Sequence, residues 1–234
     1  MAPGPVEDAY TRMDRMYRYQ RYVYDLTRKY YLFGRDRLIA ELPAQPGEHI
    51  CEVGCGTARN LIALALRFPA TQFYGVDASA EILRTAAANV SRQRLESKIT
   101  LAVGLAQNVS PGVFGLQQPF DRIIFSYALS IMDDWRAALE QGLRQLKPGG
   151  TLHIVDFGDQ AGLPVWFKTM LGAWLARFHV RFRPEVRAAG EAWMNAGHGR
   201  MSFRPVLRGY AYRLDFVKAA AGAPLDLPIV GNPT

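Results

Sequence analysis

Short apolar runs recur through the middle of the chain, each closed by a polar or glycine-bearing turn and followed by a stretch with helical spacing. Five of them read as strands: His49–Val53, Gln72–Val76, Ile99–Val103, Asp121–Phe125 and Thr151–Asp156. The intervening segments, Ala58–Arg67, Ala80–Gln93, Asp134–Leu146 and Pro164–Phe178, place apolar residues three and four apart and read as helices. Pro164 suits a first helical turn, where its missing N–H costs nothing. Strands that alternate with helices imply crossover units, and hence a parallel sheet covered on both faces.

The rhythm changes near the C-terminus. "FRPVLRGYAYRLDFVKA" holds two extended pieces separated by only a few residues around Arg208–Gly209. A link that short cannot contain a crossover helix, so these two strands are expected to be antiparallel. Residues 1–9 and the Pro/Gly-broken stretch from 219 to 234 read as ends outside the packed domain. A chain of 234 residues, 49% apolar, suits one domain with a substantial core. We divide it into an opening helical segment, 1–42, a main domain, 43–218, and a tail, 219–234. No secretory leader and no apolar run long enough to span a bilayer is evident.

Charge is unevenly placed. The net +7 equals the balance of Val165–Lys218 alone, where ten basic residues face Glu185, Glu191 and Asp215. Such a stretch either is a solvated surface or favours an anionic partner such as a membrane. Cys51 and Cys55 are too few for a disulfide framework or a metal site, and no metal is expected.

The sharpest local signal is "EVGCGTARN", which leaves the first strand and opens a helix. Gly54 and Gly56 allow a tight turn and close approach of a ligand. The third glycine of a dinucleotide fingerprint is replaced by Arg59, and no Lys-Ser/Thr follows as in a phosphate-binding loop. Glu52 would repel phosphates and welcome a cation. Asp77, ending the second strand, is placed for ribose hydroxyls. With "YGVDAS" and "LKPGG", this set resembles the class I S-adenosylmethionine-dependent methyltransferases. The resemblance implies a Rossmann-like α/β fold, a seven-stranded mostly parallel sheet with the last strand antiparallel, and S-adenosylmethionine as cofactor. Carried over by position, it implies that Glu52, Gly54, Cys55 and Gly56 meet the methionine end and that Asp77 and Ala78 meet the ribose. Leu105 and Ala106 would border the adenine, and Ser126 and Tyr127 would face the sulfonium and the acceptor. The fourth strand lacks the Asn/Asp-Pro-Pro-Tyr of methylases acting on nucleic-acid bases, so no nucleic-acid partner is expected.

The opening segment asks for its own account. In "YVYDLTRKYYLFGRDRLI", Tyr24, Arg28 and Tyr31 share one helical face, with Leu26, Tyr30 and Phe33 on a neighbouring one. Rings that simply pack on the sheet explain this; so does a lid over the site. Tyrosine rings and hydroxyls stabilise positive charge developing on a methylated nitrogen, and Arg28 suits a carboxylate beside that nitrogen. With "CEVGCGTARNL", "YGVDASAEIL" and "LPVWFKTMLGAWLARFHVRFRPE", the segment is similar to the diacylglycerylhomoserine N-methyltransferases of betaine-lipid synthesis. Quinone-biosynthesis C-methylases share a looser Tyr-Asp…Phe-Gly version. The betaine-lipid resemblance implies three methylations of a homoserine nitrogen, with Tyr24, Tyr31 and Tyr127 catalytic and Arg28 binding substrate. It also implies a lipid acceptor, a cytoplasmic enzyme peripheral on the inner membrane face, and a separate homoserine-transferring enzyme that supplies the substrate. No general base stands out: His153 reads as a core histidine, and Asp133 and Asp134 are weak candidates. The helix Pro164–Phe178 reads mainly as core packing.

Overall fold

The computed structural model describes residues 32–178 and 180–220, so the segment before Leu32, the tail beyond 220, and His179 lie outside it. Among the described residues six α-helices and seven strands follow, with two short 3-10 turns between β3 and β4: α1 (Arg35–Glu41), β1 (His49–Val53), α2 (Arg59–Arg67), β2 (Gln72–Asp77), α3 (Ala80–Arg92), β3 (Ile99–Val103), β4 (Phe120–Ser126), α4 (Trp135–Arg144), β5 (Leu146–Phe157), α5 (Val165–Ala176), α6 (Pro184–Asn195), β6 (Gly199–Val206) and β7 (Ala211–Lys218). They build one seven-stranded sheet in the order β3-β2-β1-β4-β5-β7-β6. β7 runs antiparallel to β5 and β6, while the pairings among β1 to β5 are parallel. The expected terminal hairpin is therefore present, with β7 inserted between β5 and β6.

Two apolar layers sandwich the sheet. On one face Leu38 and Leu42, Leu61 and Leu64, Ile82 and Ala86, and Leu171 and Leu175 pack on Ile50, Phe73 and Val155. On the other, Trp135, Leu139 and Leu143 of α4 and Val186 and Trp193 of α6 pack on Val53, Phe125 and Phe216. The chain order reverses between β1 and β4, which opens a crevice at their carboxyl ends, the usual ligand position in such sheets.

Three elements differ from the sequence reading. β5 begins at Leu146, five residues early, because "LKPGG" already pairs with β4 across a register shift. α6 was not anticipated. Its inward stripe is Val186, Ala189, Gly190 and Trp193, and two of the four are too small to mark a face. Gly190 is small for a reason: a β-carbon there would lie 2.5 Å from Met201 Sδ. α5 is the third. Only Leu171 and Leu175 are fully buried, while Val165, Trp166 and Met170 are 81, 68 and 56% exposed.

Candidate active site

The turn after β1 is built by backbone bonds to β2. Gly54 and Cys55 both donate to Val76 O, at 2.8 and 3.1 Å. Gly54 has φ +75°, and a β-carbon on it would lie 2.9 Å from Ala128 Cβ. Conformation and space both demand glycine there. Asp77 fastens the next turn: its carboxylate accepts from Gly56 N at 2.9 Å and from Ser79 N at 3.0 Å. Ser79 in turn caps α3, its hydroxyl accepting from Ile82 N.

Over this turn lies a cleft of about 320 Å³ whose walls include Leu32, Arg35, Glu52, Gly54, Asn60 and Ser126. That volume is within the range of small-molecule sites. Glu52 is buried, and Asn60 Nδ2 donates to its Oε1 at 2.6 Å. Asn60 Oδ1 and Ser126 Oγ are buried with no hydrogen-bond partner among the described residues. Buried polar atoms are nearly always partnered, so two orphans on one cleft wall mark where a polar ligand docks.

Of the residues expected at the cofactor, Glu52, Gly54, Cys55 and Ser126 meet in this cleft. Gly56 and Asp77 stand just behind its floor, tied to each other, while Ala78, Leu105 and Ala106 are half-buried beyond its walls. Cys55 is inert. Burial pushes its thiol well above the usual range, and its sulfur fills space against Gly75. Tyr127 is 2% exposed and stands outside the cleft lining, where the sequence reading placed it facing the acceptor. Its hydroxyl donates to Phe33 O, and its ring meets Phe157 edge-on at 4.8 Å. Burial first, then the charge of Asp156, pushes that hydroxyl's pKa well up. Tyr24, Arg28 and Tyr31 lie outside the described residues. Asp133 and Asp134 are exposed and are not among the residues lining the cleft.

The sequence reading missed Asn60, Arg35 and Asp156. Asn60 was detectable as a polar residue in the first turn of an otherwise apolar helix. Asp156, next to last in β5, is buried; it accepts from Ser130 N at 3.0 Å and from Phe157 N at 2.8 Å. Burial raises its pKa to about 6. It thereby clips the loop after β4, which begins at Ser126 and Tyr127, to β5.

A methyltransferase-domain family model matches residues 50–150. The demethylmenaquinone methyltransferase of Corynebacterium glutamicum strain R is 30% identical over 182 residues, covering 73% of this chain and 70% of that one. Among solved structures, the S-adenosylmethionine-dependent methyltransferase SibL superposes with a TM-score of 0.63 at 16% identity, over 86% of this chain and 58% of that one. Phosphoethanolamine N-methyltransferase 2 of Haemonchus contortus, in complex with S-adenosylmethionine, gives 0.62 at 16%, over 80 and 53%. The two structures share the fold, and the corynebacterial relative extends the likeness to sequence. The chain belongs to the class I S-adenosylmethionine-dependent methyltransferases.

Proposed function

We propose that this enzyme methylates the homoserine nitrogen of diacylglycerylhomoserine, three times in succession, to give a trimethylated betaine lipid. The observation that carries a lipid acceptor is α5. A helix apolar all round is ordinarily buried. This one leaves Val165, Trp166 and Met170 in solvent beside exposed Lys168, Arg177 and Arg181. Bulky apolar side chains rimmed by cations suit a surface that rests on an anionic bilayer. Among the described residues no helix is long and apolar enough to cross a membrane. The enzyme on this reading is peripheral, works on the cytoplasmic inner face, and receives its lipid from a separate homoserine-transferring enzyme.

S-adenosylmethionine is the methyl donor, and the cleft fits it. Glu52 suits the ammonium of its methionine end, the open backbone at Gly54 and Gly56 admits close approach, and the orphaned Asn60 Oδ1 and Ser126 Oγ offer polar partners. Asp77 at the end of β2 is the acceptor for the ribose hydroxyls, and Leu105 and Ala106 border the adenine. Bound there, the cofactor would supply an electrophilic methyl, leaving as its thioether, to an amine that has first lost its ammonium proton to solvent. Tyr24 and Tyr31 stabilise the charge that grows on nitrogen, and Arg28 holds the acceptor's carboxylate. Tyr127 acts as a positioning residue, through its bond to Phe33 O.

A second reading has a specific basis. The corynebacterial relative is a demethylmenaquinone methyltransferase, which favours C-methylation of a lipid-tailed quinone precursor. Purified protein with methyl-labelled S-adenosylmethionine and vesicles holding diacylglycerylhomoserine or a demethylated quinone separates the two. Label in a mono-, di- and trimethylated series of the amino lipid is expected. Label in the quinone alone would replace the first reading with the second.

A further inference from the structure

A second cavity, of about 220 Å³, lies on the α4/α6 side of the sheet, away from the cofactor cleft. It is framed by the N-terminal end of α6 and the tips of β6 and β7, and its walls include Phe182, Arg183, Arg187, Phe203, Pro205 and Tyr212. Phe203 and Tyr212 stack with ring centroids 5.4 Å apart, and the Arg187 guanidinium lies over Phe203 at 4.6 Å. One wall is therefore aromatic and the other cationic.

Three buried polar atoms here lack partners among the described residues, and one of them is an acceptor, Glu185 Oε2, whose carboxylate interacts with Tyr212 through space. Tyr212 is 3% exposed, and its hydroxyl has no hydrogen-bond partner among the described residues. Arg183 Nε is likewise buried and unpartnered, although the same guanidinium donates through Nη2 to Met132 O at 3.1 Å. A buried hydroxyl or guanidinium N–H left unsatisfied forfeits its hydration without a replacement, so such groups normally have a partner. Tyr212 and Arg183 Nε can both donate, and neither is hydrogen-bonded to the Glu185 carboxylate. The first turn of the twelve-residue α6 adds a positive helix end, which Glu185 in that turn partly offsets and Arg183 and Arg187 outnumber. Asp159 stands at the exposed rim with one carboxylate oxygen committed to Ala161 N, and Arg187 shares part of its charge with Glu191. Neither satisfies Tyr212 or Arg183 Nε.

We infer that this cavity is a binding site for the anionic group, phosphate or carboxylate, of an amphiphile. Tyr212, Arg183 and Arg187 take the anion, and the tail leaves along Phe182, Phe203 and Pro205. Phe182, 42% exposed at the mouth, gives the tail an apolar exit. The site does not depend on which acceptor is methylated, and its occupancy is measurable without turnover.

The test is calorimetric titration of the full chain with decyl phosphate, kept below its micellar concentration, against decyl maltoside and inorganic phosphate. Decyl phosphate should bind saturably, with and without saturating S-adenosylmethionine. Decyl maltoside and inorganic phosphate should each bind at least tenfold more weakly. Arg187→Gln should weaken decyl phosphate at least tenfold and Tyr212→Phe several-fold, with S-adenosylmethionine affinity kept within twofold as evidence of an intact fold. Unchanged decyl phosphate binding in both folded variants would overturn the assignment. Equal binding of the uncharged amphiphile or of inorganic phosphate, or loss of binding when the cofactor is present, would overturn it as well.

Discussion

Asn60 and Glu52 are the pair on which the cofactor cleft most visibly turns. A carboxylate buried to 1% exposure must be held by donors, and Asn60 Nδ2 is one of them at 2.6 Å. Asn60→Ala removes that donor together with the orphaned Oδ1. A hydrogen bond to a charged group is worth about 1.5–3 kcal/mol, so cofactor affinity should fall by roughly ten- to a hundredfold. Calorimetry that finds wild-type affinity in the folded variant would take Asn60 out of the site. Asp156 makes a different kind of statement. Burial lifts its pKa from the ordinary 3.8 to about 6. Between those values the folded chain holds a proton that the unfolded chain has released. The contribution of Asp156 to stability therefore falls as pH rises through that window, by about 3 kcal/mol in all. Asp156→Asn cannot titrate and should remove this dependence. Urea denaturation from pH 4 to pH 7 should show the variant gaining on the wild type as pH rises. A constant difference across the series would mean the carboxylate titrates normally.

The elements show which of these features could be read in advance. β1, β2 and β4 are apolar on both faces because helices cover both, so their sequences gave continuous runs that stand out without an alignment. β7 carries Arg213 and Asp215 within a largely buried strand, and the reason is ionic. Arg213, on the face toward α1, is buried at 6% exposure, bonds Asp215 at 2.9 Å and approaches Glu41. Across the strand pair His153 Nδ1 meets Asp215 Oδ1 at 2.6 Å, and one strand further Arg122 is paired with Glu48. The reading of His153 as a core histidine is matched by this burial, which depresses its pKa more than Asp215 restores it. A chain of polar and charged groups across three strands comes from register between distant segments, and local pattern carries no trace of it. The same limit hid the cavity beneath α6. Removing Asp215 would leave Arg213 buried without its main partner, and breaking such a pair costs about 3 kcal/mol or more. Asp215→Ala should lower the urea midpoint accordingly at unchanged slope. A loss below 1 kcal/mol would show that Glu41 suffices for Arg213.

On the scale of the whole molecule, charge, apolar exposure and the opening segment bear on where the enzyme works. The basic stretch is less uniform than its count suggested. Lys218 donates to Leu143 O and Leu146 O, and Arg204 pairs with Glu41, leaving Lys168, Arg177, Arg181 and Arg208 exposed. Vesicle binding on the proposed reading should therefore need α5 itself. Trp166→Ala with Met170→Ala should weaken sedimentation with anionic vesicles about tenfold, and salt should weaken it further, since surface charges act within about 8 Å at physiological ionic strength. Binding indifferent to both changes would point to another docking face. On the proposed reading the opening segment decides transfer. Its described part is structural: Leu38 and Leu42 are fully buried, Gly34 turns with φ +84°, and Phe33 O receives the Tyr127 hydroxyl. A chain beginning at Leu32 keeps all of these and loses Tyr24, Arg28 and Tyr31. It should retain the sheet and bind S-adenosylmethionine within about tenfold, roughly 1.4 kcal/mol. Transfer to the lipid should fall at least a hundredfold, because the groups proposed to orient and stabilise the amine are gone. A near-normal transfer rate from that shortened chain would return the three residues to a packing role and move the acceptor site onto the sheet's own loops.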